Sequence, residues 1–114
     1  MGSLERQVLG ELWAADRGLT PAEVLDAMGE DLAYTTVMTI LTRLWKKDLL
    51  ARERHGRAFV YRPIVSEAEH AAARMRDQLE RVADREAVLN RFVGSLSRKE
   101  ERMVRRALGD LDDA

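Results

Sequence analysis

Ala33-Tyr34-Thr35-Thr36-Val37-Met38-Thr39-Ile40-Leu41-Thr42-Arg43-Leu44-Trp45-Lys46-Lys47 is the stretch on which the reading of the fold turns. Val37, Ile40, Leu41 and Leu44 recur at intervals of three and four, which predicts a helix over residues 35–47 with one buried stripe. Thr36, Thr39, Arg43 and Lys46 fall on the opposite side. Threonine is β-branched and a mediocre helix former, so several threonines on an exposed helical face are not there for propensity.

Working upstream, Leu4, Val8, Leu9 and Leu12 predict a first amphipathic helix over residues 3–15, ending near Asp16 to Gly18. Thr20-Pro21-Ala22-Glu23 starts a second. It offers a hydroxyl N-cap, a proline at the first helical position and a glutamate placed to close a capping box. Val24, Leu25 and Met28 supply its apolar face and Gly29 stops it. Trp13 and Trp45 read as wedges between the first and third helices.

Downstream of Leu49 the period becomes extended. Residues 50–55 and 57–62 flank Gly56, and Pro63 closes the second arm, so a β-hairpin with a basic tip is expected. Three helices and then a hairpin is the order of a winged helix, in which the third helix enters the DNA major groove and the hairpin lies along the neighbouring backbone.

Beyond Pro63, Ser66 with Glu69 forms a second capping box, and Ala68, Ala72, Met75, Leu79 and Val82 trace a stripe at spacings of three and four. Val88, Leu89, Phe92 and Val93 mark a short helix; Ser97 with Glu100 caps a last one carrying Met103, Val104, Ala107, Leu108 and Leu111. The expected fold is thus mainly α with a small β-hairpin: a winged helix-turn-helix domain over residues 1–64, then a three-helix dimerisation region over 65–114. Three helices of this size cannot bury their apolar faces alone. Pairing with a second copy covers them, and a two-fold dimer presents two winged helices to a pseudo-palindromic DNA site. Met75, Leu79, Val82, Val88, Leu89, Phe92, Met103, Val104, Leu108 and Leu111 are the dimerisation candidates. The alternative is that these helices fold back on the winged helix of the same chain.

Charge supports the DNA reading once it is divided along the chain. The net charge of −1 conceals −5 over residues 1–33, +5 over 34–63 and −1 over 64–114. The middle block holds Arg43, Lys46, Lys47, Arg52, Arg54, Arg57 and Arg62 against Asp48 and Glu53, and it covers the third helix and the hairpin. Phosphate attraction depends on local rather than total charge.

Roles follow from side-chain reach. Thr35, Thr36 and Thr39 are short enough to approach base edges or a thymine methyl, with Tyr34 at the helix start. Arg43 reaches a guanine or a phosphate. Lys46, Lys47, Arg52 and Arg54 suit phosphates, and Arg57 beside Gly56 suits a contact in or near the minor groove.

Composition excludes most other classes. In 114 residues, 46% hydrophobic and 34% charged, there is room for one domain and an appendage, and no apolar run reaches the ~18 residues that a membrane crossing needs. No membrane insertion is expected. No basic and then apolar leader follows Met1, so a cytoplasmic location is expected. The absence of cysteine removes disulfides, thiolate metal sites and cysteine nucleophiles. His55 and His70 stand in different lobes, and the seven glycines occur singly at helix ends and turns, so no catalytic residue, metal site, phosphate loop or cofactor is expected. The rival reading is a winged helix that binds a partner protein. Such a module would carry apolar or acidic residues on the outer face of its third helix, where this chain has Thr36, Thr39, Arg43 and Lys46.

The stretch Ala33 to Leu44, continued by Lys46-Lys47-Asp48-Leu49-Leu50, resembles the recognition-helix signature of the penicillinase-repressor family, the BlaI/MecI regulators of bacteria. Arg54-His55-Gly56-Arg57-Ala58-Phe59-Val60-Tyr61-Arg62-Pro63 resembles the wing of that family, and the opening Leu4-Glu5-Arg6, Leu12-Trp13 and Leu19-Thr20-Pro21 fit it too. The resemblance implies a homodimeric repressor of dyad operators, released when a membrane-bound sensor protease triggers its cleavage. Two departures stand out. The cysteine-rich C-terminal motif of the family's copper-responsive branch is absent, and the Asn-Phe cleavage bond of the family is interrupted here, Arg91 separating Asn90 from Phe92.

Overall fold

The computed structural model describes residues 2–29 and 31–113. The elements follow in the order α1 (Ser3–Ala15), α2 (Pro21–Met28), α3 (Tyr34–Lys46), β1 (Leu50–His55), β2 (Ala58–Pro63), α4 (Glu67–Glu80), α5 (Arg85–Gly94) and α6 (Arg98–Asp112). Three helices followed by a two-stranded antiparallel hairpin give the winged-helix order expected from the sequence, with three further helices after it.

Local chemistry accounts for most element ends. At α2 the Thr20 hydroxyl accepts from the Glu23 N–H at 3.2 Å while the Glu23 carboxylate accepts from the Thr20 N–H at 2.9 Å, so the expected capping box is formed. Gly29 ends α2 at φ 65°. No side chain caps α3, whose start at Ala33 depends on its buried stripe. Asp16 and Asp48, at φ 58° and 61°, turn the chain out of α1 and away from α3; aspartate is among the few non-glycine residues that visit this left-handed region with any ease.

The hairpin differs from expectation by one residue. Its strands pair from Leu50 opposite Pro63 to His55 opposite Ala58, which leaves Gly56 and Arg57 as a two-residue turn, with Arg57 at its tip rather than in the second strand. Gly56 alone of the two has a positive φ, 65°, as expected for glycine in the first central position of a type II′ turn.

α1 packs on α2, α3 and β2, and α3 packs on β1. Between them lie Val8, Leu9, Leu12, Leu19, Val24, Val37, Ile40, Leu41, Leu44, Leu50 and Tyr61. Burying a large apolar side chain contributes about 1.5–3 kcal/mol, so this cluster is the dominant stabilising feature of the first lobe. Leu19, in the α1–α2 connection, exchanges backbone hydrogen bonds with Tyr61 at 2.9 and 2.8 Å and so adds a one-residue third strand to the hairpin. The two tryptophans sit at the rim of this core. Trp13 is half-buried, donates from Nε1 to the Val65 carbonyl at 3.0 Å and faces the His70 ring at 5.7 Å. Trp45, also half-buried, stacks under Arg52 of β1.

The chain forms two compact units, one reaching to Ala71 and one from Ala72 onward. The first turn of α4 lies within the first unit, consistent with the Trp13–His70 contact. In the second unit, Asp84 and Ser97 cap α5 and α6 through the N–H groups of Ala87 and Glu100 at 3.0 and 3.1 Å. The stripe expected to continue through Val82 outruns its helix, because α4 ends at Glu80. No described residue of α4, α5 or α6 is buried, and Met75, Val88, Leu89, Phe92, Met103, Val104, Leu108 and Leu111 are all exposed. Among the described residues no helix is long and apolar enough to cross a membrane.

Glu23 carries a pH signature. The Thr20 N–H foremost, then Arg17 at 2.9 Å and the Thr20 hydroxyl, hold its carboxyl down from the usual 4.5 to about 2. A depressed carboxyl pKa contributes stability that is present above 4.5 and lost as the pH falls toward 2. Glu23→Gln should therefore flatten the acid limb of a stability-against-pH curve between 4.5 and about 2, measured by urea titration at a series of pH values; an unchanged limb would contradict the role given to the box.

Candidate nucleic-acid interface

α3 is two-sided. Val37, Ile40, Leu41 and Leu44 are buried against α1, α2 and the hairpin, which fixes the rotation of the helix and turns Thr35, Thr39, Arg43 and Lys46 outward, with Thr36 half-buried beside them and Tyr34 exposed at the start. The side chains of Arg43 and Lys46 make no hydrogen bond or ion pair with a described residue. The Thr39 hydroxyl donates to the Thr35 carbonyl one turn back at 2.9 Å. Its hydrogen is thereby used, and Thr39 presents outward an oxygen acceptor and a methyl group. Those suit a base amino group or a thymine methyl better than a base acceptor.

One neighbour of this face was not foreseen. The first turn of α1 borders α3, so that Ser3, Leu4 and Glu5 line a cleft of about 440 Å³ with Thr36, Thr39 and Arg43. The capping and periodicity signals act within each helix and carry no information about which helix ends lie together, so Ser3 could not be found from them.

Two of the cations expected to hold phosphates are engaged by other side chains of the protein. Lys47 donates from Nζ to Glu5 at 3.0 Å, and Glu5 is only 9% exposed. The pair spans 42 positions in sequence and ties the end of α3 to the start of α1. Arg52 lies with its guanidinium over two aromatic rings, 3.6 Å from the centroid of Trp45 and 4.2 Å from that of Phe59. Arg54 is exposed and stands 5.2 Å from the Phe59 ring, and Arg57 is exposed at the turn. On the outer face of the hairpin Glu53 faces His55 at 3.6 Å and Arg62 at 4.0 Å; all three are well exposed, where such contacts contribute little. The arrangement is a helix face of hydroxyls and cations, bordered by that cleft, beside a hairpin with a cationic tip. Among the described residues no cluster of His, Asp or Glu is placed to hold a metal ion.

The family model described as penicillinase repressor matches residues 1–110. A transcriptional regulator, BlaI, of Mycobacterium tuberculosis strain H37Rv is 40% identical over 117 residues, covering 98% of this chain and 85% of that protein, and the same holds for its counterpart in strain CDC 1551. Among solved structures, MepR, a regulator of a multidrug efflux pump in Staphylococcus aureus, superposes over 99% of this chain and 78% of its own with a TM-score of 0.54 at 20% identity. MepR in a complex with DNA gives 0.53 over 85% and 82% at 23% identity. These structural likenesses bear on the fold.

The Glu5–Lys47 pair separates two lysines that composition treats alike. Lys47→Met should lower stability by about 1 kcal/mol, because it leaves a nearly buried carboxylate unpaired while the lysine itself was half in water. Lys46→Met should stay within about 0.5 kcal/mol of the parent, as exposed substitutions do. Chemical denaturation of both variants decides it, and equal effects would remove the distinction.

Proposed function

Because the chain belongs to the penicillinase-repressor family, we propose that it is a cytoplasmic, homodimeric transcriptional repressor that binds pseudo-palindromic promoter operators through α3 and the hairpin tip and is released by regulated proteolysis. The observation that carries this reading is the outward face of α3, on which Thr35, Thr36 and Thr39 at the N-terminal half are followed by Arg43 and Lys46, with no described side chain neutralising either cation. In the proposed complex the threonines approach base edges, Arg43 takes a guanine or a phosphate, and Lys46, Arg54 and Arg57 hold backbone phosphates or enter the minor groove. Among the described residues, Tyr34 is the exposed large apolar side chain of this helix, and the rest of its outward face is polar or cationic.

The tail supports the dimer. Its apolar side chains are exposed on every helix, and the extensive helix–helix packing of the chain all lies among α1, α2 and α3. A second copy of the same segment would bury them and link two half-sites into one binding unit. A sensor protease is the proposed partner for release. A cut near Asn90, within the exposed α5, would separate Met103, Val104, Leu108 and Leu111 of α6 from the rest of the dimer interface. Each such side chain contributes about 1.5–3 kcal/mol when buried.

Two measurements test the proposal. In a gel-shift titration on duplex DNA from upstream of its own gene, binding should weaken steeply between about 50 and 200 mM salt, Arg57→Ala should weaken all sequences alike, and Thr39→Ala should change the sequence preference. Binding indifferent to salt, or none to any such fragment, would sink the DNA reading. The chain truncated after Asn90 should be monomeric by light scattering at micromolar concentration, where the full chain is a dimer, and should lose operator affinity at least tenfold, by the effective-concentration argument. A truncated chain that pairs and binds like the parent would rule out cleavage there as the switch.

A further inference from the structure

We propose that Arg52 is a positioning residue rather than a phosphate ligand, its guanidinium forming the clamp that holds the hairpin at a fixed angle to α3. The functional consequence rests on the DNA-binding reading above; the clamp itself rests on geometry.

Strand alternation supplies the first step. Leu50, Arg52 and Arg54 share one face of the hairpin with Pro63, Tyr61 and Phe59 opposite them. Leu50 and Tyr61 are 2% and 0% exposed, so this is the face turned to the core, and Arg52 stands two residues beyond a core leucine. Ala51, Glu53 and His55 occupy the outer face.

On the inner face Arg52 meets one ring from each side of the joint. Trp45 belongs to the last turn of α3 and Phe59 to β2, and the Arg52 guanidinium lies 3.6 and 4.2 Å from their centroids. α3 passes into β1 through Lys47, Asp48 and Leu49, with the Leu49 N–H bonded to the Leu44 carbonyl at 3.1 Å. That turn fixes the root of the hairpin. The stack provides a second point of attachment nearer the tip. At the same level of the hairpin the Leu19–Tyr61 exchange holds the β2 edge, and the stack holds the β1 edge to α3. Without the stack the outer half of the hairpin, with Arg54 and Arg57, is held along β2 alone and can shift relative to α3.

The residue type suits this task. A guanidinium is planar and weakly hydrated, so it can stack between rings, whereas an ammonium keeps its water. Arg54 and Arg57, exposed and farther out, remain the phosphate candidates. At this position lysine is therefore a poor replacement although it conserves the charge, and that contrast separates a clamp from a phosphate ligand.

The test uses the full chain with Arg52→Lys, Arg52→Ala, Trp45→Leu and Trp45→Phe, titrated on the same upstream duplex at several salt concentrations. Arg52→Lys and Arg52→Ala should lose affinity equally, by about fivefold. Trp45→Leu with Arg52 intact should show the same loss, and Trp45→Phe, which keeps a ring and is the safer variant for folding, should recover most of it. In the protein without DNA, the Arg52 δ-methylene protons should be shifted upfield in the NMR spectrum by the ring currents of Trp45 and Phe59, and should return toward ordinary values in Trp45→Leu.

If Arg52→Lys binds like the parent while Arg52→Ala is weak, with a salt slope shallower by about one, Arg52 is a phosphate ligand and the proposal is overturned. Absence of the upfield shift overturns it as well. Should the parent bind no DNA, it is the DNA reading that fails, and the NMR shift alone then decides whether the clamp exists.

Discussion

Leu19 and Tyr61 trade both of their backbone hydrogen bonds, at 2.9 and 2.8 Å, and the position of the hairpin hangs on that exchange. A two-stranded hairpin alone is at best marginally stable in water. This one is held because Tyr61 is wholly buried among the helices while its main chain pairs with the segment joining α1 to α2. Gly18 makes the approach feasible, since a Cβ there would collide with Cγ1 of Val60. The Tyr61 hydroxyl has no hydrogen-bond partner among the described residues, an arrangement that typically costs about 1–3 kcal/mol. The ring contacts and the backbone exchange must therefore more than offset that cost.

With the hairpin rooted, one helix serves two purposes. The stripe from Val37 to Leu44 is driven inward by the hydrophobic effect, and the 3.6-residue period then turns Thr39, Arg43 and Lys46 outward. That outward face, the proposed recognition surface, needs no stabilising contacts of its own. Its rotation is set by residues on the other side of the helix, so in the proposed complex substitutions at Thr39 or Arg43 would alter recognition at little cost to the fold. Charge is divided in the same way. The acidic first third and the near-neutral tail leave the chain at −1 while the α3–hairpin block stays at +5, so the local potential needed for phosphate coexists with a total charge that avoids strong self-repulsion.

Where order is local, it was legible. The Thr20–Glu23 and Ser97–Glu100 boxes, the apolar stripe of α3 and the glycine at the hairpin turn each act within four residues, and the corresponding elements lie within about one residue of where those signals put them. The Leu19–Tyr61 bridge was not legible, because a one-residue strand has no period. Glu5 with Lys47 and Ser3 beside Thr36 depend on tertiary proximity, which a single sequence does not encode in any short pattern. Arg52 is the instructive case. Counting charges made it one more phosphate ligand, yet Leu50 two residues earlier, read with the period of a strand, already puts it on the inward face. Charge suggested solvent, periodicity suggested the core, and a guanidinium between two rings satisfies both.

The tail raises a different balance. Its helices are well capped, with hydroxyl or carboxylate caps at Ser66, Asp84 and Ser97, yet none of their described residues is buried. Capping contributes roughly 1 kcal/mol per helix, which favours helical ends but cannot substitute for a core. Those helices are thus preformed enough to present apolar stripes and too weakly packed to be indifferent to a partner. In the proposed repressor this places the energy of linking two half-sites in a unit that makes no base contact. A control event confined to the tail can then empty an operator while α3 and its threonines stay folded and unchanged, because what it removes is the effective concentration of the second half-site binder and not the first contact.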